Sequence, residues 1–206
     1  MNEQRTDVRR FIRTYPGALD DALIADLAAL EEGCLRYEEE WRRCSQTPVV
    51  GDALARLNRV TSECFADYRT LSSTLNWCSQ LEIPNVLRYE PSNPDQPEWF
   101  HEHADAWDIT SASRQVSVIG YLNDVVEGGE TEFPAFEFSQ RCEKGTILMF
   151  PANYMFHHLA RPPLSGPKLV VVTWIHFGNG GVPTKPSIPL VAVPQAVPEA
   201  PLDSEP

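Results

Sequence analysis

From about Ala18 to Leu81 apolar residues recur at intervals of three and four, most clearly in "ALDDALIADLAALEEGCL". That spacing lays an apolar stripe along one face of a helix. Asp20 and Asp21 stand where acidic groups favour a helix start. "TPVVGDA" interrupts the pattern and "LARLNRVTSECFADYRTLSSTLNW" resumes it, so at least two helices are predicted. Inside this region "YEEEW", Tyr37 to Trp41, reads as the solvated face of a helix. After Leu81 the pattern shortens to "NVLRYE", "VSVIGYL", "TILMF" and "KLVVVTWIHF", separated by Pro, Gly and Asn. Short β-rich runs with turn signals and no intervening helix predict an antiparallel sandwich or barrel. From Gly178 onward seven of the 18 prolines fall in a stretch without periodicity, which reads as an extended, disordered tail of polyproline character. The chain is thus expected to be α+β, with a helical part over residues 1–80 of the same domain, a β core over 81–178 and a proline-rich tail over 179–206.

Composition changes this picture little. With 206 residues, 42% of them hydrophobic and 22% charged, the chain has the make-up of one folded domain with a buried core. Charge does more: a net charge of -12 repels phosphate backbones, and Arg5, Arg9, Arg10 and Arg13 read as an ordinary helix face, so no nucleic-acid partner is expected. No run is long and apolar enough to span a bilayer and no signal-peptide pattern opens the chain, so a cytoplasmic protein without a membrane partner is expected. Five cysteines, Cys34, Cys44, Cys64, Cys78 and Cys142, are scattered without a CxxC pair and read as reduced, mostly buried thiols.

Candidate chemistry gathers in two places. In "HEHAD", His101, His103 and Asp105 alternate, and on an extended strand alternate side chains share a side, so any two or all three could meet one ion. Imidazole and carboxylate without thiolate suit iron(II), manganese or zinc. The doublet His157-His158 offers a further ligand; one of its members joining His103 and Asp105 would make a face of two histidines and one carboxylate with open coordination positions. Lys168 heads the apolar "KLVVVTW", where it either faces the interior with Val170, Val172 and Trp174 or reaches out to solvent. Gly128 and Gly129 give a sharp turn with no phosphate-binding helix after it.

Taken in order, "RYEP", "HAD", "RQVSVIGYLND", "GGETEFP", "KGTILMFPANYMFHH", "RPPLSGPKL" and "VTW" resemble the iron(II)- and 2-oxoglutarate-dependent dioxygenases, in particular their prolyl 4-hydroxylase-like branch, over about Arg88 to Trp174. The family's spacing of proline, glycine and basic residue after the distal ligand fits Pro162, Gly166 and Lys168 only if that ligand is His158, which leaves His157 as a neighbour.

The resemblance implies a double-stranded β-helix (jelly roll) core with the N-terminal helices packed on its major sheet. It implies that His103, Asp105 and His158 hold iron(II) and that Lys168 pairs with the distal carboxylate of 2-oxoglutarate, assisted by Tyr121, with Tyr89 near the co-substrate's other end. Arg114 matches a substrate-facing arginine and Trp174 a pocket-wall tryptophan. The implied reaction consumes O2 and 2-oxoglutarate, yields succinate and carbon dioxide, and hydroxylates an unactivated C–H bond, with ascorbate as the expected reductant. Asp105 fills the position that related halogenases leave open for chloride, which favours hydroxylation.

The expected substrate is a peptide residue or a free amino acid-like molecule, and a homodimer is compatible with the sequence. The segment "YEPSNPDQPEWFHEH" is longer than the family's usual loop and is expected to form a lid over Glu90–Phe100; Phe100 replaces a frequent tyrosine. Another class, a cupin-like metal- or ligand-binding module using His101, His103 and His158, would have no use for a buried cation at Lys168.

Overall fold

A computed structural model describes residues 7–31, 35–91, 95, 97–178 and 185–193. Among them are β1 (Arg13–Tyr15), α1 (Asp21–Ala28), β2 (Leu35–Glu38), β3 (Arg43–Pro48), α2 (Gly51–Tyr68), β4 (Cys78–Glu82), β5 (Asn85–Tyr89), β6 (Phe100–His103) and β7 (Arg114–Tyr121). The chain continues through β8 (Thr131–Phe133), β9 (Phe138–Gln140), β10 (Ile147–Pro151), β11 (His158–Ala160), β12 (Lys168–Phe177) and β13 (Ser187–Pro189). All the pairings are antiparallel. They form a large sheet of order β1-β10-β7-β12-β5-β3-β2, extended by β4 on β12 and β13 on β4, and a small sheet of order β6-β11-β8-β9. This is an α+β jelly roll.

Period-two alternation sorts the large sheet's side chains to its two faces. Ile147, Met149, Val171 and Ile175 pack with Leu23, Ile24 and Leu27 of α1 and Leu57, Phe65 and Tyr68 of α2. Leu148, Phe150 and Val170 turn the other way and meet Phe133 and Phe156 in the inter-sheet core. α1 starts as its sequence suggests: the Asp20 carboxylate accepts from Leu23 N at 2.6 Å, and Asp21 lies in the first turn. Gly51 stands at φ 63° and opens α2 straight after β3.

Two expectations need correction. The stretch between α1 and α2 is a β-hairpin, and "YEEEW" lies at its tip rather than on a helix. Pairing overrides the local pattern: β3 runs beside β5 with Gln46 opposite Leu87, Cys44 is fully buried, and the charged run merely lines the outer edge. Part of the tail, too, is ordered. Ser187–Pro189 add to β4, Ile83 N donates to Pro186 O at 2.9 Å, and Leu190 N donates to Ser79 O at 3.0 Å. Proline tolerates this because β13 is an edge strand. Cys44, Cys64, Cys78 and Cys142 are free and buried, whereas Cys34 lies outside the described residues. No described helix is long and apolar enough to cross a membrane.

Candidate metal centre and pocket

In the small sheet β6 and β11 pair so that His103 stands opposite His158, while Asp105 follows β6 by two residues. One ligand atom from each of His103, Asp105 and His158 lies within 4.8 Å of the others, and His101 and His157 are not part of the group. His103 Nε2 is 3.6 Å from Asp105 Oδ1, and His158 Nε2 is 3.7 Å from Asp105 Oδ2. The outer nitrogen of each ring is already engaged. His103 Nδ1 meets His101 O at 2.6 Å and His158 Nδ1 meets Phe156 O at 3.2 Å. A carbonyl only accepts, so Nδ1 carries the proton on both rings and both Nε2 lone pairs point at the shared centre.

Protonation completes the fit. Burial pulls the His158 imidazole down to about 4, against the opposing pull of Asp105. Burial pushes the Asp105 carboxyl up, but His158, His103 and Ser117 outweigh it and hold it well below the usual carboxylate range. At neutral pH His158 is therefore a neutral imidazole and Asp105 a carboxylate, donors that take a divalent ion without first releasing protons. Ser117 donates to Asp105 Oδ2 at 2.5 Å. Phe100 stacks on His103 with centroids 3.7 Å apart, and Phe150 meets His158 edge-on at 4.6 Å.

The wall around this centre includes Tyr89, Thr131, Lys168, Val170, Val172 and Trp174. Lys168, Val170, Val172 and Trp174 share the inner face of β12, so the interior reading of the lysine is the one realised. Lys168 is 2% exposed, and its Nζ lies 5.4 Å from the Tyr89 ring centre. No ion pair reaches it among the described residues; burial lowers its pKa, while Cys142 and Glu130 push the other way. Gly128 and Gly129, at φ 74° and 78°, carry the chain past it. A Cβ at Gly128 would stand 2.3 Å from Pro162 O, so only glycine allows that approach.

Other expected residues fall in varied places. Tyr121 is fully buried and donates to Thr131 Oγ1 at 2.8 Å, and it is Thr131 that stands on the pocket wall. Trp174 is on the wall with its Nε1–H buried and without a partner among the described residues. Arg114, expected to face the substrate, is not among the wall residues but stands behind two of them. Its guanidinium is held by Glu82 at 2.8 and 2.6 Å, donates to Asp105 O at 3.1 Å, and stacks 3.5 Å from the Trp174 ring centre. A buried guanidinium needs a carboxylate, and Glu82 supplies one from β4. The expected lid falls partly on residues 92–94 and 96, outside the described residues; within it, Glu98 is buried and accepts from Glu90 N at 2.7 Å. His101 is exposed and packs on Trp99, and exposed His157 lies 3.7 Å from Glu102.

Four polar pocket residues escaped the sequence reading: Ser117, Thr131, Arg42 and Gln46. Ser117 left a trace, as a polar residue in the inward phase of an otherwise apolar strand. Arg42 and Gln46 left none, because their segment reads as a charged helix.

Comparison with known proteins agrees with this geometry. Residues 84–176 match the family model described as 2OG-Fe(II) oxygenase superfamily. Prolyl 4-hydroxylase subunit alpha-1 of Gallus gallus is 28% identical over 150 residues, 66% of this chain and 26% of the relative. The chain thus spans about a quarter of the length of that curated relative. Among solved structures, the viral collagen prolyl hydroxylase of Paramecium Bursaria Chlorella virus-1 superposes with a TM-score of 0.64 at 21% identity, over 81% of this chain and 96% of the other. A Pseudomonas putida prolyl-4-hydroxylase gives 0.65 at 16% identity, over 81% and 92%. At such identities the likeness speaks for the jelly-roll fold alone, while the family match covers the strands that bear the candidate ligands. Over residues 84–176 the chain is thus similar to the 2OG-Fe(II) oxygenase superfamily, and these relatives are prolyl hydroxylases.

Proposed function

We propose that this chain is an iron(II)- and 2-oxoglutarate-dependent hydroxylase acting on an unactivated C–H bond of a prolyl or other peptide residue, or of a free amino acid-like molecule, with succinate and carbon dioxide as co-products. The observation that carries this reading is the meeting, in one pocket, of a two-histidine, one-carboxylate group with a buried lysine that no described acid neutralises. A metal site alone would suit a cupin-like binding module. The lysine goes unexplained there, whereas the distal carboxylate of 2-oxoglutarate answers it.

In this reading His103, Asp105 and His158 hold the iron, which when bound supplies the oxygen-activating chemistry. The residues around it orient and exclude. The two backbone carbonyls fix the imidazole tautomers and Ser117 fixes the carboxylate. Lys168 draws in the distal end of the co-substrate, and Val170, Val172 and Trp174 keep the pocket dry. Tyr121 keeps its proton because burial pushes its pKa up, so its hydroxyl stays a donor to Thr131. Ascorbate is the proposed reductant.

The test is succinate formation by purified protein given iron(II), ascorbate and 2-oxoglutarate in air. Wild type should produce succinate and His158→Ala should not. Equal production by both would remove the assigned centre from the reaction. If neither produces it, 2-oxoglutarate binding to the anaerobic iron form separates a strict need for the prime substrate from the cupin-like reading.

A further inference from the structure

The pocket holds a second cation. Arg42 follows the tip of the β2–β3 hairpin and reaches the pocket wall together with Gln46. Its Nε donates to Cys44 Sγ at 3.2 Å and its Nη2 to Gln46 Oε1 at 2.6 Å, both uncharged acceptors. The rings of Tyr37 and Phe100 lie 4.5 and 5.1 Å from its Cζ and hold the guanidinium plane in place. No carboxylate pairs with it among the described residues. Glu98, the buried acid of this neighbourhood, is taken by Arg36 Nη2 at 2.7 Å and by Glu90 N at 2.7 Å. Gln46 spends its carbonyl oxygen on Arg42, which leaves amide N–H groups to face outward. This end of the pocket therefore offers donors and positive charge, and it does so in a chain of net charge -12.

A guanidinium on an apolar wall without a counter-anion is costly unless a ligand supplies the anion. The co-substrate of the proposed function cannot supply it as well: one of its carboxylates goes to the metal and the other to Lys168. The missing anion then belongs to the molecule being oxidised. Among the described wall residues Asp105 is the sole carboxylate, and it is committed to the metal centre. Distance limits the size of the substrate. Arg42 lies over Phe100, and Phe100 stacks on His103 at 3.7 Å, so a carboxylate held on Arg42 leaves room for only a few carbon atoms before the metal.

We infer, on the basis of the proposed function, that Arg42 and Gln46 form a carboxylate subsite for the prime substrate, which is a small free acid rather than an internal residue of a peptide. Arg42 is well shaped for this: its planar fork binds a carboxylate through two parallel N–H groups, which an amide cannot match.

The test uses the full chain, loaded anaerobically with iron(II) and 2-oxoglutarate, whose visible charge-transfer band reports the assembled pair without turnover. Short-chain carboxylic acids and the L-amino acids are titrated, each beside its own amide, along with acetyl- and amide-capped prolyl peptides. At least one acid should perturb the band and bind about tenfold or more tightly than its amide. Arg42→Gln should erase that preference while leaving 2-oxoglutarate affinity within about twofold, and Arg42→Lys, which keeps the charge, should retain part of it. Several results would overturn the subsite: equal binding of acid and amide, binding by capped peptides alone, binding by no acid, or an Arg42→Gln loss of 2-oxoglutarate affinity equal to that of Lys168→Ala. If the band fails to form in wild type, the proposed function itself falls and the subsite with it, a result distinct from a normal band that no acid perturbs.

Discussion

The two sheets that enclose the pocket are built to different standards. The large one has α1 and α2 packed across its outer face and carries Lys168, Ser117 and Trp174 on its inner one. The small one has four short strands and supplies both candidate histidine ligands from its β6–β11 pair. A buried, unneutralised ammonium costs folding energy, and it sits on the sheet best able to bear it. His158 costs less, being neutral, and sits on the thinner wall, where His103 keeps partial exposure. Charge burial and metal access are thus assigned to opposite walls of one pocket.

The largest break in this comparison is His158→Ala, which removes a ligand from the thin sheet. Metal affinity should fall by more than about 100-fold, since even indirect contacts of ligands carry 10- to 100-fold effects. His157→Ala, one residue away and exposed, should leave affinity within about twofold; cobalt(II) or manganese(II) titration reads both.

Next comes Lys168→Met, which strips the charge from the strong sheet. Affinity for 2-oxoglutarate should drop about 100-fold, with metal affinity little changed. The ligand-free protein should meanwhile gain about 1 to 4 kcal/mol, because an uncompensated buried charge has been replaced by apolar volume; urea unfolding measures it.

Glu82→Gln tests the seam between the sheets, where Arg114 reaches from the large sheet to the Asp105 carbonyl. Breaking this buried pair should cost about 3 kcal/mol of stability and about tenfold in metal affinity, with 2-oxoglutarate affinity measured on the metal-saturated variant unchanged.

The last effect is that of pH on the metal-free protein, and it touches stability alone. In the unfolded chain the His158 imidazole takes a proton below its ordinary 6.5, but in the fold only near 4. The unfolded state thus binds more protons in that window, and stability is lost as pH falls through it, by up to about 3 kcal/mol. Asp105, held low in the fold, acts in the same direction further down. Comparing wild type with His158→Leu at pH values near 7 and near 4.5 should show the steeper loss in wild type.

What the sequence made legible follows the same division. β7, β10 and β12 are strongly apolar, and their alternation could be read directly; His103, Asp105, His158 and Lys168 stand at fixed spacings that a family resemblance could register. The hairpin of β2 and β3 was hidden because its outer residues are charged and its inner ones, Cys44 and Gln46, become meaningful only opposite β5. Arg42 was hidden with it. β13 was masked by Pro186 and Pro189, which argue against a central strand but not against an edge. The ion pair of Arg114 was hidden as well, because spacing can put a residue near a site without fixing which way its charge turns; Glu82, far back in sequence, decided that. Local pattern carried the elements with one strong face, and long-range partners carried the rest.

The strand order has a consequence in time. β1 lies against β10, so Thr14 waits for Leu148, and β4 gains its outer neighbour only when Ser187–Pro189 arrive. During synthesis the large sheet therefore remains open at two edges until nearly all the described chain has emerged. Such distant pairings make closure slow relative to helix formation, so α1 and α2 can form early while the pocket assembles last. Both walls of the candidate metal centre also wait for β11 and β12, so a chain that has emerged only as far as β10 would present helices but no assembled ligand group.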